Sequence, residues 1–292
     1  MLWASPVRTI GQLIVGSSGN VGSFDLTTGT SISSFHWGPP GAPRPVSVKS
    51  LTVFGNSLYV AYTPFGSSTI TIGVYDATTG AVINANFASV NPSVSGSAPV
   101  MAATADTLLV VNFGTLIRKF DAVTGAVLNT SLLGGALSIT GLMAAQNTLF
   151  VGDSGGTVVT EYDIATGAAN GLSFDSGLST PLGMAIWRNY LLVSNASRVS
   201  MYNLTTGALV TSTLPNMSLF SGSLAVRDDT LYMGQTVNGL VSTYDLAHGR
   251  PLNSSFAGVP SGVTGLGIAA PEPTAALLLA GAAFPLLLRR RR

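Results

Sequence analysis

Six times along the chain, apolar runs of strand length lead into an aromatic residue, then an aspartate or asparagine, then a glycine four positions on. The copies are Phe24-Asp25-Leu26-Thr27-Thr28-Gly29, Tyr75-Asp76-Ala77-Thr78-Thr79-Gly80, Phe120-Asp121-Ala122-Val123-Thr124-Gly125, Tyr162-Asp163-Ile164-Ala165-Thr166-Gly167, Tyr202-Asn203-Leu204-Thr205-Thr206-Gly207 and Tyr244-Asp245-Leu246-Ala247-His248-Gly249. Their spacings of 51, 45, 42, 40 and 42 residues mark propeller blades or another stacked array. The local chemistry predicts a turn. An Asp or Asn side chain accepts hydrogen bonds from amides two or three residues on, and glycine supplies the positive φ that closes the hairpin. The aromatic residue ahead of it is expected to pack between layers.

Two further segments precede every turn. One is an apolar strand, as in Ser57-Leu58-Tyr59-Val60 or Thr148-Leu149-Phe150-Val151. The other, earlier still, is rich in small residues: Ser50-Leu51-Thr52-Val53, Val100-Met101-Ala102-Ala103, Gly141-Leu142-Met143-Ala144, Gly183-Met184-Ala185-Ile186, Ser223-Leu224-Ala225-Val226 and Gly265-Leu266-Gly267-Ile268. With the strands entering and leaving the turn, each unit has four strands. The small-residue strand is expected innermost, where blades converge and space is tight.

The ends decide between a ring and an open array. The first unit starts near Gln12 without an innermost strand, and the run Val263 to Ala269 is an innermost strand without a blade. Pairing them predicts an all-β, six-bladed propeller over residues 1–270, closed by strands from both termini and without two exposed sheet edges. An open solenoid is the alternative.

The last stretch has a different character. Pro271-Glu272-Pro273 is followed by an uncharged segment, 274–288, and then by Arg289, Arg290, Arg291 and Arg292. As a helix, 15 residues span roughly 22 Å at about 1.5 Å per residue, a marginal length against a hydrocarbon core of roughly 30 Å. The arginines would snorkel into headgroups on the cytoplasmic side and leave the body outside, and Pro285 would kink the helix. This triplet, apolar run and arginine end resemble the PEP-CTERM sorting signal of Gram-negative, biofilm-forming bacteria. The resemblance implies export, recognition by an exosortase and processing of the tail, with Pro271, Glu272, Pro273 and the four arginines as the signal residues. Residues 271–292 therefore read as a sorting segment with a short hydrophobic helix, transiently in the membrane.

Charge and composition narrow the function. Only 9% of residues are charged, which suits an extracellular β-protein. The formal net charge of +1 rests on the arginine end; residues 1–270 hold 9 Lys and Arg against 11 Asp and Glu, about −2, which leaves no basic surface for nucleic acid. Cysteine is absent, so disulfides, thiolate metal sites and cysteine nucleophiles are excluded. Residues 1–8 lack the pattern of a signal peptide, and an exported protein with this start is expected to have lost one upstream of Met1.

Motifs that suggest chemistry are weak. Gly152-Asp153-Ser154-Gly155-Gly156 matches the nucleophile region of trypsin-like serine proteases, but only His36 and His248 exist to serve as a base, and neither has that family's setting. The position is that of a blade's second hairpin, so a turn is expected. The turn aspartates would be calcium ligands only if clustered, and Asn203 and His248 interrupt any such series. Asn129, Asn195, Asn203, Asn216 and Asn253 open Asn-x-Ser/Thr motifs at the frequency so Asn/Ser/Thr-rich a chain produces, and 37–45 is a proline-rich connector.

The aromatic-Asp-x-x-Thr-Gly unit is similar to the repeat of pyrroloquinoline-quinone dehydrogenases and of propeller-shaped outer-membrane assembly lipoproteins, over residues 11–256. In that family the repeat continues Lys-x-x-Trp, with the tryptophan docking neighbouring blades. Here Ala81-Val82-Ile83-Asn84 or Ala126-Val127-Leu128-Asn129 follows, and no copy has the tryptophan. The resemblance therefore implies the fold and carries no cofactor or metal residues across. The expectation is an exported, non-catalytic binding or structural module of the cell envelope or extracellular matrix, with an exosortase as processing partner and an exopolysaccharide or envelope protein as ligand. The alternative is a propeller lyase or glycosidase using two of Asp106, Asp153, Glu161, Asp175, Asp228 and Asp229 at the channel mouth.

Overall fold

The computed structural model describes residues 11–35, 47–64, 66–90, 99–112, 115–134, 137–175, 180–195, 198–211, 213–214 and 222–269. The expectations for residues 1–8, for 37–45, for the tail helix and for Pro271, Glu272, Pro273 and Arg289, Arg290, Arg291 and Arg292 lie outside them.

The described residues form six four-stranded antiparallel sheets, and none of them is helical. The closing blade has, from the channel outward, β24 (Val263–Ala269), β1 (Gln12–Ser17), β2 (Val21–Asp25) and β3 (Ser31–Phe35). The second is β4 (Ser47–Phe54), β5 (Ser57–Thr63), β6 (Ile70–Asp76) and β7 (Val82–Val90). The third is β8 (Met101–Ala103), β9 (Thr107–Asn112), β10 (Leu116–Asp121) and β11 (Val127–Leu133). The fourth is β12 (Ile139–Ala145), β13 (Thr148–Asp153), β14 (Val158–Asp163) and β15 (Ala169–Asp175). The fifth is β16 (Met184–Trp187), β17 (Tyr190–Ser194), β18 (Val199–Asn203) and β19 (Leu209–Thr211). The sixth is β20 (Ser223–Arg227), β21 (Thr230–Gly234), β22 (Leu240–Asp245) and β23 (Arg250–Gly258).

The ring closes as the ends required. β24 pairs with β1 from Gln12 opposite Ala269 to Gly16 opposite Gly265, so the closing blade draws its innermost strand from the C-terminal side. The open array is thereby replaced by a closed propeller. The core is divided into six apolar clusters, one in each cleft between neighbouring blades. Between the second and third blades, for example, Tyr59, Ile72, Val74 and Phe87 meet Met101, Leu108, Val110 and Phe120. The aromatics ahead of the turn pack in these clefts: Phe24, Tyr75, Phe120, Tyr202 and Tyr244 are buried and Tyr162 is partly so. Burying apolar surface at about 25 cal/mol per Å² on both faces of every sheet stabilises the ring without one central core.

Because strands alternate in direction, the first hairpin and the Asp turn of each blade share one face of the disc, here the turn face. The second hairpin and the connection to the next blade share the other, the loop face. On the turn face the sequence pattern closes as hydrogen bonds. Asp25 accepts from the amides of Thr27 and Thr28 at 2.8 Å each, and Asp76 from those of Thr78 and Thr79 at 3.0 and 2.6 Å. Asn203 does the same for Thr205 and Thr206 at 2.9 and 3.0 Å. His248 replaces the threonine of the last copy and bonds Asp245 through Nδ1 at 2.8 Å. All six glycines adopt a positive φ, from 65 to 75°.

The residue after each Asp or Asn ties the two turn-face loops of its blade together. In blades two to six the amides of Ala77, Ala122, Ile164, Leu204 and Leu246 donate to the first-hairpin carbonyls of Asn56, Asp106, Asn147, Asn189 and Asp229, at 2.8 to 3.0 Å. The outermost strands carry bulges, and Asn84, Asn129 and Asn253 hold them by accepting from the amides of Asn86, Ser131 and Ser255. Two of the Asn-x-Ser/Thr motifs are thus bulge supports, and a bulged outer edge is a poor template for pairing with another chain.

Candidate functional site

The six innermost strands enclose a channel with a cavity of about 550 Å³, lined by residues of all six blades. Its wall follows from the small-residue pattern. A Cβ on Gly183 would lie 2.5 Å from the Gly222 carbonyl oxygen, and one on Gly267 would lie 2.3 Å from Val53 Cγ2. No larger residue fits while the blades keep this approach. Each innermost strand is paired on one side only, so its other edge turns unpaired N–H and C=O groups toward the channel. Such groups need water or a polar ligand.

At the loop-face end the position just before each small-residue segment supplies one lining residue per blade. These are Lys49, Pro99, Thr140, Leu182, Gly222 and Thr264. Three of them are strand bulges: the register passes from Val48 to Ser50, from Ile139 to Gly141 and from Val263 to Gly265, leaving Lys49, Thr140 and Thr264 without a cross-strand partner. A bulge re-aims its side chain, which puts these residues at the channel instead of in a cleft. Thr140 Oγ1 donates to the Pro181 carbonyl at 2.6 Å. Lys49 is half-buried and, among the described residues, is the one ionisable residue in the lining. Sequence reasoning missed this collar. The signal was the residue preceding each small-residue segment, visible only once the six segments are aligned.

The carboxylates weighed as catalytic candidates lie elsewhere, and none lines the cavity. Asp106, in the β8–β9 hairpin, accepts from the Thr104 and Thr107 hydroxyls at 2.9 and 3.1 Å, and these bonds, Thr104 foremost, hold its carboxyl below the ordinary value. Asp153 ends β13 and caps the next turn, accepting from the amides of Ser138, Gly155 and Gly156. Ser154, whose Oγ bonds Ser138, is thus a turn residue. Glu161 on β14 accepts from Asn170 Nδ2 at 3.1 Å, and Asp175 ends the outermost strand β15. Asp228 and Asp229 form the β20–β21 hairpin, where Asp229 accepts from Trp187 Nε1 at 2.9 Å and pairs with Arg188 at 2.8 Å. Among the described residues no group of three or more His, Asp and Glu converges as a metal site, and no helix is long and apolar enough to cross a membrane.

The turn aspartates are occupied as well. Asp25 is held below its ordinary value first by the Thr28 amide, Asp121 by the Thr124 amide and Asp163 by the Thr166 hydroxyl. For Asp76 and Asp245, burial pushes upward but is outweighed by the bonds from Thr79 and His248.

What replaces the absent docking tryptophan is visible at the blade clefts. A Cβ on Gly29, Gly125 or Gly167 would fall 1.9, 2.2 or 2.4 Å from the carbonyl oxygen of Phe256, Phe87 or Leu132, each on the outermost strand of the preceding blade. The turn itself docks there. Tyrosines add a second tie to the following blade: Tyr59 donates to the Ala122 carbonyl at 2.9 Å and Tyr232 to that of Leu26 at 3.1 Å.

Two solved structures share the architecture at low sequence identity. A chain of a nidogen/laminin complex matches with a TM-score of 0.67 at 13% identity, over 89% of this chain and 99% of that one. The computationally designed protein Ika8 matches with a TM-score of 0.54 at 18% identity, over 87% and 86%. Both show the fold alone. No curated protein matches the chain. The family described as outer membrane protein assembly factor BamB matches residues 17–253, and with its repeats, ring closure and turn geometry the chain belongs to that family.

Proposed function

We propose that the protein is an exported, non-catalytic binding or structural module of the cell envelope or extracellular matrix, processed by an exosortase at its tail. The observation that carries this reading is the point of ring closure. Ala269 is the last residue of β24 and pairs with Gln12, and a single residue separates it from Pro271-Glu272-Pro273. Every strand of the ring thus precedes the triplet, and a cut there leaves the propeller whole.

Two further observations support it. The family is described as outer membrane protein assembly factor BamB, which fits a binding or structural module at the envelope. None of the six carboxylates available to a lyase or glycosidase lines the channel, whereas such chemistry at the channel mouth needs two of them there, about 5 to 10 Å apart. Fractionation of cells with and without the exosortase tests the sorting claim. An uncleaved, membrane-bound form retained only in the deficient strain is the expected result; the same distribution in both strains would refute it.

A further inference from the structure

We propose that the loop-face mouth of the channel binds an acidic saccharide, with the carboxylate of one sugar unit paired to the Lys49 ammonium. The inference deepens the reading of the protein as a binding module and rests on it.

It starts from an unopposed charge. Of the twelve acidic residues in the sequence, eleven are described, and none of them forms an ion pair with Lys49. Arg188, Arg227 and Arg250 by contrast each lie within ion-pair distance of an aspartate, and Lys119 Nζ donates to the Ile164 carbonyl at 3.2 Å. The strand bulge directs Lys49 at the cavity, and the five other collar residues are neutral, so among the described residues the collar carries one positive charge.

The rest of the lining selects the body of the ligand. Its volume lies within the roughly 300–1,000 Å³ range of small-ligand sites. Unpaired peptide edges on all six innermost strands, with Ser50 and Thr52, offer hydrogen-bond donors and acceptors to a ring of hydroxyls. Met143, partly buried in the lining, offers soft apolar surface to the C–H face of a pyranose. An acyl chain with a carboxylate would pair with Lys49 equally well, but would desolvate those peptide groups without replacing their hydrogen bonds. A sugar acid satisfies both parts of the wall.

The test uses the full chain in mild detergent, with trigalacturonate and its uncharged methyl ester as probes, titrated calorimetrically at low ionic strength where charge pairs are least screened. The acid should bind at least tenfold more tightly than the ester, a difference of about 1.4 kcal/mol. Lys49→Met should bring the acid down to the affinity of the ester without moving the melting temperature, and Lys49→Arg should keep most of the preference. Equal affinity for acid and ester, or an unaltered preference in Lys49→Met, overturns the role of Lys49 but leaves the binding module standing. Octanoate or an acidic hexapeptide binding where trigalacturonate does not overturns the saccharide. The outcome is independent of tail processing, so the sorting claim and this one fail separately.

Discussion

On the turn face every blade repeats one solution: an Asp or Asn caps two amides, a glycine with positive φ turns the chain, and three of these glycines press on the strand of the blade before. On the opposite mouth of the channel the six blades present Lys49, Pro99, Thr140, Leu182, Gly222 and Thr264, no two alike except the threonines. Both sets occupy equivalent positions in a repeating fold. Where all six blades need the same geometry, the residue is fixed by backbone sterics; where the position faces open space, it is free to carry chemistry. The contrast gives the turn face to assembly and leaves the collar free for the binding role proposed above.

The strongest way to break this contrast is at the turn glycines. Gly29→Ala puts a Cβ 1.9 Å from the Phe256 carbonyl oxygen at a φ of +71°, so backbone of two blades must shift. Urea denaturation should show a loss of about 3 kcal/mol or failure to fold. At Gly207 the φ is also +71°, but the nearest backbone atom, the Ser173 carbonyl oxygen, is at 3.4 Å, and Gly207→Ala should lose only about 1 kcal/mol. Equal losses at the two positions would show that φ alone, and not docking on the neighbouring blade, makes the glycines necessary.

A smaller effect separates the tyrosine ties from mere apolar filling. Tyr59→Phe keeps the ring in its cleft against Phe87, at 5.7 Å between centroids, but removes the donor to the Ala122 carbonyl. The expected loss is about 1 kcal/mol, because a buried carbonyl is left without its partner. No change in the denaturation midpoint would mean that the clefts are held by packing and turn docking alone.

Acid sensitivity sharpens the comparison between blades. Asp25, Asp76, Asp106, Asp121, Asp163 and Asp245 all titrate below their ordinary value of 3.8 in the fold. A carboxyl whose native pKa is depressed contributes stability that is present above its unfolded value and lost as pH falls through the native one. Stability should therefore hold from neutral pH to about 4 and decline steadily below it. Asp76→Asn keeps an acceptor for the Thr78 and Thr79 amides, as Asn203 does in the fifth blade, but contributes no titration. Its unfolding midpoint should fall less between pH 5 and pH 2 than that of the parent, and an identical fall would exclude Asp76 as a source of the acid sensitivity.

Much of this architecture was legible because its causes are local. The Asp and Gly of each turn act within four residues, and small residues mark the innermost strand by the space they leave. Closure followed from counting: a unit lacking its first strand at Gln12 and a lone strand at Val263 complete each other. The hidden part depends on register and long-range contact. A one-residue bulge at Lys49 changes where a side chain points without altering the polarity pattern. The tie from Tyr59 to Ala122 spans 63 positions and uses a carbonyl, which no side-chain pattern reveals. The absent tryptophan limited the resemblance to the fold, whereas the match over residues 17–253 extends it to the family; the replacement of its docking role by glycine was not readable, since the same glycine was already explained by its turn.

The smallest predicted change concerns the first hairpins, where the repeat is imperfect on the turn face itself. The second blade turns through Gly55 at a φ of +58°, but the fourth, fifth and sixth use Gln146, Arg188 and Asp228 at +53 to +54°. For a residue with a Cβ this left-handed backbone is strained. Arg188 offsets the strain through its ion pair with Asp229 and its position 4.6 Å over the Trp187 ring, and Asp228 lies 3.7 Å from Arg227. Among the described residues, Gln146 has no side-chain hydrogen bond or ion pair to compensate in that way. Gln146→Gly should therefore stabilise the protein, by about 0.5 kcal/mol once the extra freedom of glycine in the unfolded chain is set against the relieved strain. Arg188→Gly, which gives up the pair and the ring contact for the same relief, should not. If both substitutions destabilise equally, the first hairpins belong with the turn glycines as fixed parts of the assembly; opposite signs would show that this position, like the collar, is open to chemistry that the fold does not require.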